Sequence, residues 1–96
     1  SFVDGIGGRS VLEEMWPLVR GLVDGSLVVG LRDVAEAIRT LAERNHVVAE
    51  GAGATSVAAA LAGKAPGKKV VCVVSGGNID AHKLARILEG EVPLPG

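Results

Sequence analysis

The sequence predicts an open α/β fold in which helices flank a small, mainly parallel sheet, and three observations carry that prediction. A periodic helix starts at Leu31, an unalternating valine-rich run spans Lys69 to Ser75, and helical and β-branched stretches alternate along the chain. Only two strands are evident, however, and two strands leave unpaired edges and an uncovered face. The 96 residues therefore read as one segment, 1–96, of a larger domain.

Ser10-Val11-Leu12-Glu13 has the spacing of a capping box, so a helix is expected to begin there. Pro17 cannot sit inside that helix and reads as the start of a second one through Val23. Leu27-Val28-Val29, closed by Gly30, predicts a short buried strand. Leu31, Val34, Ala35, Ile38, Leu41 and Ala42 then recur at the spacing of one helical face, opposite a charged face with Arg32, Asp33, Glu36, Arg39, Glu43 and Arg44. His46 to Ala49 is too short to assign as a strand. Glu50 to Ser56 reads as a loop, followed by an alanine-rich helix to Ala62 that Gly63 and Pro66-Gly67 stop.

Val70 to Val74 lacks alternation, the pattern of a strand covered on both faces. It runs into Ser75-Gly76-Gly77-Asn78, after which Asp80 opens a last helix with Leu84, Ala85 and Leu88 inward, ending at Gly90. Pro93 and Pro95 predict an extended tail.

Composition narrows the function. A hydrophobic content of 48% against 22% charged suits a packed piece. Ten Lys+Arg against eleven Asp+Glu gives a net charge of -1, with no cationic field to gather nucleic acid or an anionic bilayer. A lone cysteine, Cys72, closes no internal disulfide, and no apolar run reaches the roughly 20 residues that span a bilayer, so a cytoplasmic protein is expected. His46, His82 and Cys72 have no metal-ligand spacing, so no metal site is expected. Glycine, at 14 of 96, implies backbone that lies close to something, and Trp16 reads as a core or interface anchor.

The place for chemistry is the strand, Ser-Gly-Gly-Asn, helix sequence. In open α/β sheets ligands bind beyond the carboxyl ends of strands, where Gly76 and Gly77 would admit a flat or anionic group beside a helix N-terminus. The same residues also read as a plain strand-to-helix turn in which Ser75 serves local amides. Glu50-Gly51-Ala52-Gly53-Ala54-Thr55-Ser56 offers Gly-x-Gly before a helix, but Ser56 stands at the third glycine, and small residues there suit close helix packing better than phosphate binding.

Four motifs in order, Asp4-Gly5-Ile6, Trp16-Pro17-Leu18-Val19-Arg20 with Leu22-Val23-Asp24, Glu50-Gly51-Ala52-Gly53-Ala54, and Ser75-Gly76-Gly77-Asn78-Ile79-Asp80, make a specific series. Over essentially its whole length the chain resembles the carboxyl-terminal part of the catalytic domain of the threonine/serine dehydratases. These are pyridoxal-phosphate enzymes of the tryptophan-synthase-β fold, fold type II, which include serine racemase.

The resemblance implies pyridoxal phosphate as cofactor and a small amino acid as substrate. It implies that the Ser75 hydroxyl bonds the cofactor's pyridine nitrogen while Gly76 and Gly77 leave the ring room. Gly5 matches backbone lying against one ring face, and Glu50 an often acidic position near the pocket; Asn78 would fix the turn. The expected partners are the rest of the same catalytic domain and further copies of the chain. No residue here matches the catalytic lysine: Lys64, Lys68, Lys69 and Lys83 stand at other positions, and the family's lysine and phosphate loop lie upstream of the matched region. The segment by itself is thus expected to be inactive. Gly7-Gly8-Arg9 departs from the family's usual residues. Serine racemase, threonine synthase and a non-catalytic binding or interaction module remain alternatives at this point.

Overall fold

The computed structural model describes residues 14–23 and 25–93. The Asp4-Gly5-Ile6 motif and the Ser10 capping box lie outside the described residues. Among the described residues four α-helices follow one another: α1 (Trp16–Leu22), α2 (Leu31–Thr40), α3 (Gly51–Leu61) and α4 (Ala81–Leu88). Pro17 is the second residue of α1, where its missing amide hydrogen costs nothing, as expected for a helix that restarts there. Trp16 is 51% exposed, so it is not the core anchor that its size suggested.

Helix α2 buries Val34, Ala35, Ala37 and Ile38. It packs on α3, which turns in Ala54 and Ala58, and on α4, which turns in Ile87. Ala49 completes this core, and Val29, Leu41, Val57, Val74, Ile79, Leu84 and Val92 close around it. The alanine-rich sequence of α3 suits a close approach, since Ala37 of α2 and Ala54 and Ala58 of α3 are fully buried and carry only methyl groups. The inward face expected for α4 is shifted: Ile87 is buried and Leu84 half-buried, while Ala85 and Leu88 are exposed. Leu84 and Ile87 are three apart and share a face, and Leu88, four from Leu84, lies at its rim, 36% exposed.

The helix ends follow the sequence. Both α3 and α4 close in a Schellman motif: Lys64 N–H to Ala59 O and Gly63 N–H to Ala60 O in the first, Glu91 N–H to Arg86 O and Gly90 N–H to Ile87 O in the second. Gly63 (φ 73°) and Gly90 (φ 93°) take the left-handed position that the motif needs. Helix α2 runs on through a π-helical turn, Leu41–Asn45, ended by His46 in the left-handed conformation (φ 56°).

The sheet is the main departure. Among the described residues no strand forms, and the Leu27–Val29 and Lys69–Ser75 runs are connecting segments instead. A ladder needs a neighbour whose amides and carbonyls are in register. The 70–77 run instead meets 48–50 through one backbone bond, Glu50 N–H to Gly76 O at 3.0 Å. Exposure along the run alternates with period two. Val71 (93%) and Val73 (74%) are open, while Cys72, Val74 and Gly76 are half-buried. The chain there is extended and covered on one face, not two. The inner face is tied to α3, where the Ser56 hydroxyl donates to Val73 O at 2.9 Å and Cys72 Sγ lies 3.5 Å from Ser56 O.

Candidate cofactor site

The extended run delivers Ser75-Gly76-Gly77 onto the start of α3, and the fit there is close. Gly77 leaves no room for a side chain: a Cβ would lie 2.4 Å from the carbonyl oxygen of Val48. Gly53, in the first turn of α3, is also confined, with a Cβ 2.7 Å from the carbonyl oxygen of Gly76 and 3.0 Å from its nitrogen. These two glycines are therefore explained by backbone packing within the chain. Gly76 is different. A Cβ there would sit 3.6 Å from Glu50 Cγ, an ordinary contact. Among the described residues nothing demands glycine at that position.

Glu50 joins the two elements. Its carboxylate caps α3, Oε2 accepting from Ala52 N–H at 2.8 Å and Oε1 from Gly53 N–H, while its own N–H holds Gly76 O. A negative group at a helix N-terminus also meets the positive end of the helix dipole. At the other end of the turn Asp80 caps α4, its Oδ1 accepting from His82 N–H at 2.8 Å and Lys83 N–H at 3.3 Å. The Lys83 and His82 amides hold the Asp80 carboxyl below the ordinary aspartate range.

The expected site residues thus fall unevenly. Ser75 is exposed at the carboxyl end of the run, next to half-buried Gly76 and Glu50; Gly5 lies outside the described residues. The open helix N-terminus expected beside the glycines is corrected: the α3 and α4 N-termini are both filled by the chain's own carboxylates, which would repel a phosphate. What the turn offers is an exposed, neutral hydroxyl that can donate one hydrogen bond and accept others. Lys64 reaches the carbonyl oxygen of Val28, while Lys68 and Lys69 are exposed ahead of the run.

Sequence reasoning missed two contributors. Glutamate is not a usual capping residue, so Glu50 was not read as the α3 cap; its place directly before a run of small helical residues was the available signal. Ser56, read as a failed glycine, fastens α3 to the extended run. Among the described residues no group of three or more His, Cys, Asp or Glu side chains could hold a metal ion, and no helix is long and apolar enough to cross a membrane.

Comparison with known proteins gives a consistent result. Residues 1–76 match the family described as pyridoxal-phosphate dependent enzyme. The chain is 43% identical over 89 residues to an L-threonine ammonia-lyase of Thermotoga maritima, covering 92% of this chain and 22% of that protein. It is 37% identical over 91 residues to an L-threonine ammonia-lyase of Geobacter sulfurreducens, covering 93% of this chain and 23% of the relative. With the catabolic L-threonine dehydratase TdcB of Staphylococcus aureus it shares 34% identity over 94 residues, 93% of this chain and 27% of the relative. The chain thus spans about a quarter of the length of these curated relatives. No solved structure matches it. The family match, over most of the chain and through the segment that ends in Ser75-Gly76, places this protein among the pyridoxal-phosphate-dependent enzymes.

Proposed function

We propose that the chain supplies the pyridine-nitrogen side of the cofactor site in a threonine/serine dehydratase, which deaminates a β-hydroxy amino acid to a 2-keto acid and ammonia. The observation that carries the reading is the exposed Ser75 side chain at the end of an extended run, on a turn pinned to the start of α3. The threonine ammonia-lyase and dehydratase names of the relatives support the substrate class.

Pyridoxal phosphate, when bound, supplies an electron sink for the substrate's α-carbon. The Ser75 hydroxyl would hold the ring nitrogen by donating to it and, being neutral, would not favour its protonation as a carboxylate would. A tempered electron sink of that kind would suit loss of a β-hydroxyl. Gly76 would leave space for the ring, Glu50 borders the turn, and Gly5 is a cofactor-binding candidate by the resemblance alone. The N-termini of α3 and α4, already capped by Glu50 and Asp80, would not hold the cofactor's phosphate.

In this reading residues 1–96 are one segment of the carboxyl-terminal part of a fold type II catalytic domain. The 69–75 run becomes a strand of a mainly parallel sheet once the rest of that domain pairs with it. The period-two exposure of the run supports this, because Val71 and Val73 then find cover. The half-buried free thiol of Cys72 accords with a cytoplasmic enzyme, and oligomerisation completes the proposal.

The test is Ser75→Ala in the complete protein. Loss of one neutral hydrogen bond is worth about 0.5–1.5 kcal/mol, so cofactor affinity falls roughly two- to tenfold and the bound cofactor's absorbance changes. Ser75→Thr, which keeps the hydroxyl, stays near the parent. Unchanged affinity and spectrum in Ser75→Ala refute the assignment.

A further inference from the structure

Glu50 occupies a double position. Its side chain is committed to α3, with both carboxylate oxygens accepting backbone amides of the first helical turn, at Ala52 and Gly53. Its main chain is committed to the serine turn, through the 3.0 Å bond from its N–H to Gly76 O. The two commitments meet in space. Glu50 Cγ borders Gly76, and Gly53 lies so near the same peptide that even a methyl group would strike Gly76 O at 2.7 Å. Any shift of the helix start is therefore transmitted to the Ser75-Gly76 peptide.

We propose that Glu50 is a positioning residue that clamps the Ser75-Gly76 turn to the first turn of α3, and that it exchanges no proton with substrate or cofactor. Each oxygen of the Glu50 carboxylate already accepts a backbone amide, so the group is engaged structurally without any ligand. The clamp rests on the reading of Ser75 as the ring contact only for its effect on the cofactor; its effect on the backbone is independent of that reading.

Three variants of the complete protein test it, Glu50→Ala, Glu50→Asp and Glu50→Ser, with two readouts: backbone amide resonances of Ala52, Gly53 and Ser75–Gly77, and the absorbance of bound pyridoxal phosphate against pH. Glu50→Ala removes the cap. The resonances of the helix start and the serine turn are expected to move together, and cofactor affinity to fall by no more than the roughly two- to tenfold expected when the Ser75 contact is lost outright. Aspartate and serine are good capping residues. Both are expected to restore the resonances and the affinity, and the absorbance profile of Glu50→Ser to overlay that of the parent. A hydroxyl caps a helix but does not carry protons as a carboxylate does, so a displaced profile or lost binding in Glu50→Ser with restored Ala52 and Gly53 resonances overturns the proposal. So does Glu50→Ala disturbing α3 while Ser75–Gly77 stay in place. Should Glu50→Ala fail to fold, Glu50→Gln, which keeps one acceptor oxygen, takes its place. A parent protein that takes up no pyridoxal phosphate sinks the dehydratase reading, and the resonances still decide the clamp.

Discussion

The adjacent glycines of the serine turn should respond oppositely to the same methyl group. In Gly77→Ala the new Cβ would lie 2.4 Å from the Val48 carbonyl oxygen and 3.4 Å from its carbon. Carbon–oxygen contacts begin near 3.3 Å, so the two backbones must separate by about 0.9 Å. The obstacle is main chain and cannot rotate aside. Overpacking of this kind costs about 1–3 kcal/mol, and the lower entropy of an alanine-containing unfolded chain returns about 0.4–1 kcal/mol. A net loss of roughly 1–2 kcal/mol is expected. Gly76→Ala meets only Glu50 Cγ at 3.6 Å, and neither glycine has a left-handed φ. It should leave stability unchanged or raise it by up to about 1 kcal/mol. Urea unfolding of the cofactor-free protein measures both. Equal stabilities for the two variants, or a larger loss at Gly76, would refute the packing argument. A cofactor titration adds a second comparison, since weakened binding in a fully stable Gly76→Ala assigns that glycine's bareness to the ligand.

Two further outcomes follow from the helices. Ile38→Ala empties a fully buried site between α2 and α3 and should cost about 2–5 kcal/mol in denaturant unfolding. The Asp80 cap gives an acid-side dependence. Its carboxyl is depressed in the folded state by the Lys83 and His82 amides, so its contribution is in place above the unfolded aspartate value near about 4 and is lost as pH falls through the lower folded value. Asp80→Asn, which keeps an acceptor oxygen without the titration, should flatten that slope in unfolding curves taken from about pH 5 downward.

How much of this was legible in the sequence depended on whether the signal was local. The α2 face at Val34, Ala35 and Ile38, the stop at Gly63, the restart near Pro17 and the opening of α4 at Asp80 all depend on residues within a few positions of one another, and all appear in the structure. Ala37 was missed because alanine is ambiguous; its burial depends on elements far away in sequence that pack on α2. The sheet failed for a similar reason. Valine-rich composition announces an extended chain, but a ladder depends on a partner that the run itself does not encode, and among the described residues only one backbone bond reaches it from 48–50. At the candidate site, Ser75 and the glycines were visible as a turn. The Glu50 clamp was not, since it joins residues 26 positions apart through a residue type seldom used as a cap.

The alternation along 70–77 sets a parity for the site. Val71, Val73 and Ser75 share one side of the backbone, and Cys72, Val74 and Gly76 the other. Dropping or adding a single residue upstream of Ser75 would swing its hydroxyl inward against α3 and turn Cys72 and Val74 to water, inverting every assignment at once. Substitutions in this stretch can be graded by size and polarity, whereas a change in its length is all or nothing.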